Sequence, residues 1–287
     1  MRPRAFKQID VFSDQPGNGN PVAVVLDALD LSDSDMRRFA AWTNLSETTF
    51  LMPPTPAGRL AGADYRLRIF TPRSELPFAG HPTLGTCHAW LQAGNVPRQP
   101  GGIVQESALG LVRIAQQGDT LAFEAPPLTR STPSPALVPL IASALGLRPA
   151  QIVRSERLDN GTVWLGLLLD SASTVLGLKP DHARLKDLGQ HVGVVHVGAQ
   201  ADDAHVPGVV VRAFAAPMGN AEDPVTGSLN ASLAQWLIAE GLAPRRYLVA
   251  QGECLGRAGR VQIRQDDAGQ TWVGGQSVTC IEGTALL

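Results

Sequence analysis

Near the start of the chain the apolar residues fall into short runs with strand spacing. Residues 6–12 (FKQIDVF) and 22–26 (VAVVL) read as two strands, and the glycine-rich GNGNP at 17–21 between them reads as a turn. Ser32 followed by Asp35 is a capping-box pattern that predicts a helix to about Trp42, with Met36, Phe39 and Ala40 on its apolar side. Strands are expected at about 48–52 and 65–70, and later at about 163–169, 192–197 and 209–214, mixed with short helices. That alternation predicts an α/β or α+β fold rather than a β-sandwich.

Two stretches differ from the rest. Residues 82–94 and 224–239 contain no carboxylate, lysine or arginine, and a helix without charge on any side is normally buried in a core. The segments HPTLGT at 81–86 and DPVTGS at 223–228 align without a gap. Each is preceded by an Arg-x-Phe strand end, Arg68 to Phe70 and Arg212 to Phe214. Hairpin-like pairs follow both, at 111–124 around Gly118-Asp119 and at 260–273 around Ala268-Gly269. This recurrence in order predicts a duplicated fold. The Pro-rich stretch at 125–139 forms few regular backbone hydrogen bonds and suits a boundary, giving half-domains of 1–128 and 129–287. Residues of about 280–287 are expected to pack back on the first.

Composition narrows the class. A chain of 287 residues, 44% hydrophobic and 17% charged, reads as a globular enzyme of two cores. The net charge of -2 and scattered basic residues disfavour nucleic acid as a partner, and no run meets the roughly 20 apolar residues of a membrane span. The start lacks the apolar middle of a secretion signal, so a cytoplasmic location is expected. Cys87, Cys254 and Cys280 are odd in number and far apart, against a disulfide framework or a thiolate metal site.

The uncharged helices supply candidate chemistry. The first N–H groups of a helix lack intrahelical partners, and the dipole places about half a positive charge there. Two buried helix starts facing one cleft could hold a small carboxylate substrate. In the plainer alternative Asp223 and Thr83 merely cap their own helices. Glu47, in NLSETTF at 44–50, enters an apolar strand. If buried, its pKa rises toward neutrality, as a carboxyl proton shuttle requires; a solvated glutamate at a strand edge fits the pattern too.

Taken together, NLSETTF at 44–50, FTPRSELPFAGHPTLG at 70–85 and GNAEDPVTGS at 219–228 resemble the phenazine-biosynthesis (PhzF-like) family, whose fold is that of diaminopimelate epimerase. DVFSDQPGNGNPVAVV at 10–25 and GECLGRAGRVQI at 252–263 also resemble it. The resemblance implies two pseudo-symmetric half-domains, each a curved mixed sheet around a central buried helix, with the site between them. It implies Glu47 as general acid/base, His81 and Asp223 as polar partners, and the main chain of Gly80, Gly227 and Ser228 as substrate contacts. It further implies an isomerase that needs no metal or organic cofactor and moves a proton on a small carboxylate-bearing substrate, similar to trans-2,3-dihydro-3-hydroxyanthranilate isomerase. A homodimer is implied by the family alone. The epimerase relatives use two cysteines; here Ala79 precedes Gly80-His81 and Asp223-Pro224 stands at the second location, which weakens an epimerase or racemase reading.

Other readings are a non-catalytic small-molecule-binding protein of the same fold, a nicotinamide enzyme suggested by GNGNP, and a zinc hydrolase using His191, His196 and His205. GNGNP lacks the third glycine and the following helix of a dinucleotide site, and no HExxH pattern accompanies the histidines.

Overall fold

The computed structural model describes residues 1–198 and 206–287. The chain divides into two compact units, Met1–Glu124 with Gly274–Leu287, and Ala125–Val273. The division falls at the start of the Pro-rich stretch, within which Thr129–Ser131 nevertheless forms a short strand. No helix among the described residues is long and apolar enough to cross a membrane.

The first unit runs β1 (Pro3–Val11), β2 (Asn20–Val25), α1 (Asp33–Thr43), β3 (Glu47–Met52), α2 (Pro56–Leu60), β4 (Tyr65–Phe70), β5 (Glu75–Leu76), α3 (Gly80–Gln92), β6 (Ile103–Ser107), β7 (Gly110–Gln117) and β8 (Thr120–Glu124). Its sheet is mixed. β2 pairs antiparallel with β1 and parallel with β3, β3 is antiparallel to β4, and β4 is antiparallel to β5 and parallel to β6. The C-terminal strand Ser277–Leu286 returns to pair antiparallel with β1. Ser32 starts α1 by accepting the Asp35 N–H, and Asn44 ends it in the left-handed conformation at φ 53°.

Both faces of β2 are covered, which is why it reads as an unbroken apolar run. Val25 packs with Met36, Ala40, Phe50 and Phe70 under α1. Val22 lies against α3 on the other side, so close that a Cβ on Gly85 would stand 2.4 Å from its Cγ1. Ten of the thirteen residues of α3 are buried, which makes it a core helix enclosed by strands rather than an amphipathic surface helix.

The second unit runs β9 (Thr129–Ser131), α4 (Leu137–Leu145), β10 (Ile152–Asp159), β11 (Val163–Leu169), α5 (Ala172–Gly177), α6 (His182–Asp187), β12 (Val192–Val197), β13 (Val209–Ala215), β14 (Asn220–Asp223), α7 (Gly227–Ala239), β15 (Arg246–Gln251), β16 (Gly259–Gln265) and β17 (Thr271–Gly275). Its pairings reproduce those of the first unit in order. β10–β11 is antiparallel, β11–β12 parallel, β12–β13 and β13–β14 antiparallel, β13–β15 parallel and β15–β16 antiparallel. Leu165, Leu167 and Leu169 of β11 face a core with α4, α5 and α6. Gly166 faces the other way, against Trp236 and Leu233 of α7.

The duplication is present, but its register differs from the match between HPTLGT and DPVTGS. That match pairs Gly85 with Gly227, whereas the first residues of the two thirteen-residue helices are Gly80 and Gly227. A second landmark agrees with the helices. Arg68 grips Glu75 through Nε and Nη2 at 2.7 and 2.7 Å, and Arg212 grips Glu222 in the same way at 2.9 and 2.8 Å. Each guanidinium also lies 5.1 Å from the ring centre of the phenylalanine two residues on, Phe70 or Phe214. ELPFAG at 75–80 therefore corresponds to EDPVTG at 222–227, which sets Leu76 against Asp223 and His81 against Ser228.

Candidate active site

In the first unit the chain brings Glu47 and His81 together. Glu47 opens β3 opposite Val22 of β2, and His81 is the second residue of α3. Glu47 Oε2 stands 3.3 Å from His81 Nε2, with side-chain exposures of 13% and 5%. Glu47 is thus enclosed beside a polar partner rather than solvated at a strand edge. Burial pushes the His81 pKa down to about 3, a shift opposed by the main chain of Pro21, so the ring is neutral across the physiological range. Asn20, fully buried at the head of β2, places its Nδ2 3.4 Å from His81 Nδ1.

The start of α3 carries no side-chain cap. Its N-cap is Ala79, not Thr83, which lies inside the helix and accepts from Gln105 Nε2 at 3.1 Å. Pro82 has no N–H, and the Thr83 N–H already bonds the Ala79 carbonyl at 3.2 Å. The main-chain N–H groups of that turn without an intrahelical partner are therefore those of Gly80 and His81, at the end where the helix dipole favours negative charge. Further down, Thr86 donates to Thr49 Oγ1 at 2.9 Å and Thr49 donates to the Ala23 carbonyl at 3.1 Å. These bonds tie α3 to β3 and β2, the two strands that place Glu47 and Asn20.

In the second unit the N-cap of α7 is Thr226, again without a side-chain cap. The reason lies in its hydroxyl, which donates to Asp223 Oδ2 at 2.6 Å and accepts from Gln251 Nε2 at 3.0 Å. Gln251, 1% exposed, also receives the Thr226 N–H and the Asn230 side chain on Oε1, at 3.2 and 2.8 Å. Asp223 lies at the end of β14 and also faces Asn220 Nδ2 at 3.4 Å. Gly227 is the first helical residue. Ser228 accepts from Trp164 Nε1 at 3.3 Å on its hydroxyl and from Asn160 Nδ2 at 2.9 Å on its carbonyl.

The residues equivalent to one another at the two helix caps are Ala79 and Thr226, so Thr226, not Asp223-Pro224, answers to Ala79. Neither is a cysteine. Cys87 is buried within α3 and its thiol is pushed up to about 12 by burial, which leaves it without a nucleophilic thiolate near neutrality. Among the described residues no group of three His, Cys, Asp or Glu side chains could hold a metal. His191 lies against Trp164 and His196 Nδ1 against the Leu169 carbonyl, while His205 is outside the described residues. Asn20, Gln251 and Asn230 were not singled out by sequence reasoning. Asn20 and Gln251 offered one signal, a polar residue at the edge of an apolar run, whereas Asn230 lies inside the uncharged stretch.

Comparison with known proteins adds to this geometry. Residues 9–283 match the PhzC-PhzF family, phenazine biosynthesis-like protein. The chain is 34% identical over 304 residues to Antisense-enhancing sequence 1 of Schizosaccharomyces pombe, covering 100% of both proteins. It is also 34% identical over 295 residues to trans-2,3-dihydro-3-hydroxyanthranilate isomerase of Pseudomonas aeruginosa, covering 97% of this chain and 98% of that one. The fold matches the crystal structure of a Bacillus anthracis PhzF-family protein with a TM-score of 0.84 at 21% identity, over 100% of both chains. On the strength of that near end-to-end match and these relatives, the chain belongs to the phenazine biosynthesis-like PhzF family and is an isomerase.

Proposed function

We propose that this isomerase moves one proton between two positions of a small carboxylate-bearing substrate, with Glu47 as the single acid/base and no added cofactor. The observation that carries the proposal is the Glu47–His81 contact of 3.3 Å at the uncapped start of a buried helix. A carboxylate that takes a proton from carbon must be nearly dry and must keep the proton for return. Glu47 is enclosed enough for the first. The neutral His81 ring, 3.3 Å away, provides the second, since it is too weak a base to remove the proton from Glu47. The N–H groups of Gly80 and His81 are donors for an anionic group of the substrate.

Asp223 is proposed as a further polar partner, and the main chain of Gly227 and Ser228 as substrate contacts. In support, the Thr226 hydroxyl and Gln251 fix Asp223 and the α7 start, leaving Gly227 and Ser228 as uncapped first-turn residues. The substrate class is that named for the Pseudomonas aeruginosa relative, a cyclic hydroxy acid able to shift a proton along an enamine system. Ala79 and Thr226, where a two-base epimerase would carry thiols, favour a one-carboxylate reaction over inversion at carbon.

The test is solvent exchange. With trans-2,3-dihydro-3-hydroxyanthranilate in D2O, the wild-type protein is expected to introduce deuterium at carbon. Glu47→Gln abolishes the incorporation while still binding the substrate. Equal incorporation by wild type and variant removes Glu47 from the chemistry.

A further inference from the structure

Residues 12–19, which connect β1 to β2, take no direct part in the proposed chemistry, yet they are held tightly. Phe12 is fully buried at φ 67°, in a region that bulky side chains rarely adopt, and its N–H donates to the Gln276 carbonyl at 2.8 Å. At the other end Gly19 lies so near β1 that a Cβ there would stand 2.1 Å from the Val11 carbonyl oxygen. Asp10 fastens this end. It is 2% exposed, and its Oδ2 accepts the Gly19 N–H at 2.9 Å. Its Oδ1 is buried without a hydrogen-bond partner among the described residues. Burying a carboxylate for one N–H carries a desolvation cost, so the contact needs a reason beyond the turn. The residue after Gly19 is Asn20, which touches His81.

We propose that Asp10 is a positioning residue for proton transfer: by fixing Gly19 it fixes Asn20, whose carboxamide holds His81 Nδ1 and thereby keeps Nε2 on Glu47. The inference rests on the Glu47–His81 reading above. The contacts run without a break from Asp10 Oδ2 to the Gly19 N–H, through the peptide to Asn20, from Asn20 Nδ2 to His81 Nδ1, and from His81 Nε2 to Glu47 Oε2. An amide N–H can only donate, so a ring that accepts it at Nδ1 carries its single proton on Nε2, the nitrogen 3.3 Å from the Glu47 carboxyl. The Pro21 main chain also favours a protonated ring nitrogen, and the two tautomers differ in the ring nitrogen shifts.

The experiment uses the full chain with Asp10→Ala, Asp10→Asn, Asn20→Ala and the Asp10→Ala/Asn20→Ala double variant. It measures deuterium incorporation into trans-2,3-dihydro-3-hydroxyanthranilate, melting temperature, and ring 15N shifts of His81. Asp10→Ala and Asn20→Ala are expected to lower kcat on the order of 100-fold with KM little changed, the scale of a catalytic group displaced by about 1 Å. Asp10→Asn, whose side-chain oxygen still accepts the Gly19 N–H, keeps most of the rate. The double variant is no slower than Asn20→Ala, because both act through one ring. Wild-type His81 shows the Nε2–H form, and Asp10→Ala shows a mixture. An Nδ1–H ring in the wild type, additive losses in the double variant, or wild-type kcat in folded Asp10→Ala overturns the inference. Should Asp10→Ala fail to fold, Asn20→Ala with normal kcat overturns it equally. Unchanged exchange in Glu47→Gln would instead overturn the function, and the ring spectra would still report on Asp10.

Discussion

His81 makes the stability of the first unit depend on pH in a calculable way. An unfolded histidine takes a proton near pH 6.5, whereas burial in α3 holds the folded one down to about pH 3. Between those values the unfolded chain binds the extra proton, so stability is complete above about pH 6.5 and drains away as the pH falls toward 3. At pH 4.5 the loss from this residue alone is about 3 kcal/mol. Carboxylates lose stability over part of the same range, so the measured quantity is a difference. Urea unfolding at pH 7 and pH 4.5, followed by hydrogen exchange of α3 amides, is compared in wild type and His81→Gln. The wild type is expected to lose about 3 kcal/mol more than the variant over that interval. Among the described residues Glu47 is the group whose charge could reverse this, because a carboxylate 3.3 Å from Nε2 favours the imidazolium. Parallel losses in the two proteins, or a His81 ring that titrates near 6.5 by NMR, would show that the pair is held as an ion pair and refute the neutral-ring argument.

The duplicated arginine pairs differ in burial, and their cost of disruption should follow. Arg212 and Glu222 are 6% and 7% exposed, so Glu222→Gln leaves a buried guanidinium and is expected to destabilise by about 3–5 kcal/mol in denaturant melts. Arg68 is 15% exposed, Glu75 is 31% exposed and Asp33 is a second partner, so Glu75→Gln should cost no more than about 1 kcal/mol. Gly85→Ala pushes a methyl into Val22 and Val11, and a loss of about 1–3 kcal/mol is expected despite the better helix former. A melt unchanged from wild type would show that α3 is not pressed against β1 and β2. For Asp223→Ala a lower rate of deuterium incorporation is expected with a stability change of about 0.5–2 kcal/mol, the scale of a lost hydrogen bond or cap.

Much of the fold was legible because local physics decided it. β4, β11 and β12 follow from apolar runs, α1 from Ser32 and Asp35, and the two central helices from the lack of charge along them. The register of the repeat was not legible, because proline and glycine recur at similar spacing in two overlapping ways. Only the Arg68–Glu75 and Arg212–Glu222 pairs, which require tertiary structure, choose between them. Helix starts were off for the same reason: Pro82 and Pro224 suit a first turn, but α3 begins before one and α7 after the other. The proximity of Glu47 and His81 was available only through resemblance, since nothing local sets a strand's first residue against a helix thirty-odd positions away. Asp10 was hidden in what reads as an ordinary strand and Asn20 in an ordinary turn, their importance coming from the contacts they make in the folded chain.

The corrected register also bears on why the chemistry is proposed to be one-sided. The two units share strand order, the arginine–glutamate grip, the Arg–Phe contact and an uncapped glycine at the helix start. They differ where protons would be handled. The third long strand opens with Glu47 in one unit and Val192 in the other, and the second helical residue is His81 in one and Ser228 in the other. The second unit instead has Asp223 at the position of Leu76, tied down by the Thr226 hydroxyl. A duplicated scaffold with thiols at both caps can run a symmetric two-base inversion. With Ala79 and Thr226 at the caps and, among the described residues, a glutamate–histidine pair in the first unit only, the proposal has a removed proton return from the same carboxyl. A substrate deuterated at the abstracted carbon is expected to give, in H2O, product that keeps part of its label, the rest being lost by the same exchange of the Glu47 carboxyl with water that introduces deuterium in D2O. Complete wash-out of label would show that the carboxyl exchanges with water faster than it delivers, and would refute the partial retention expected of an enclosed Glu47.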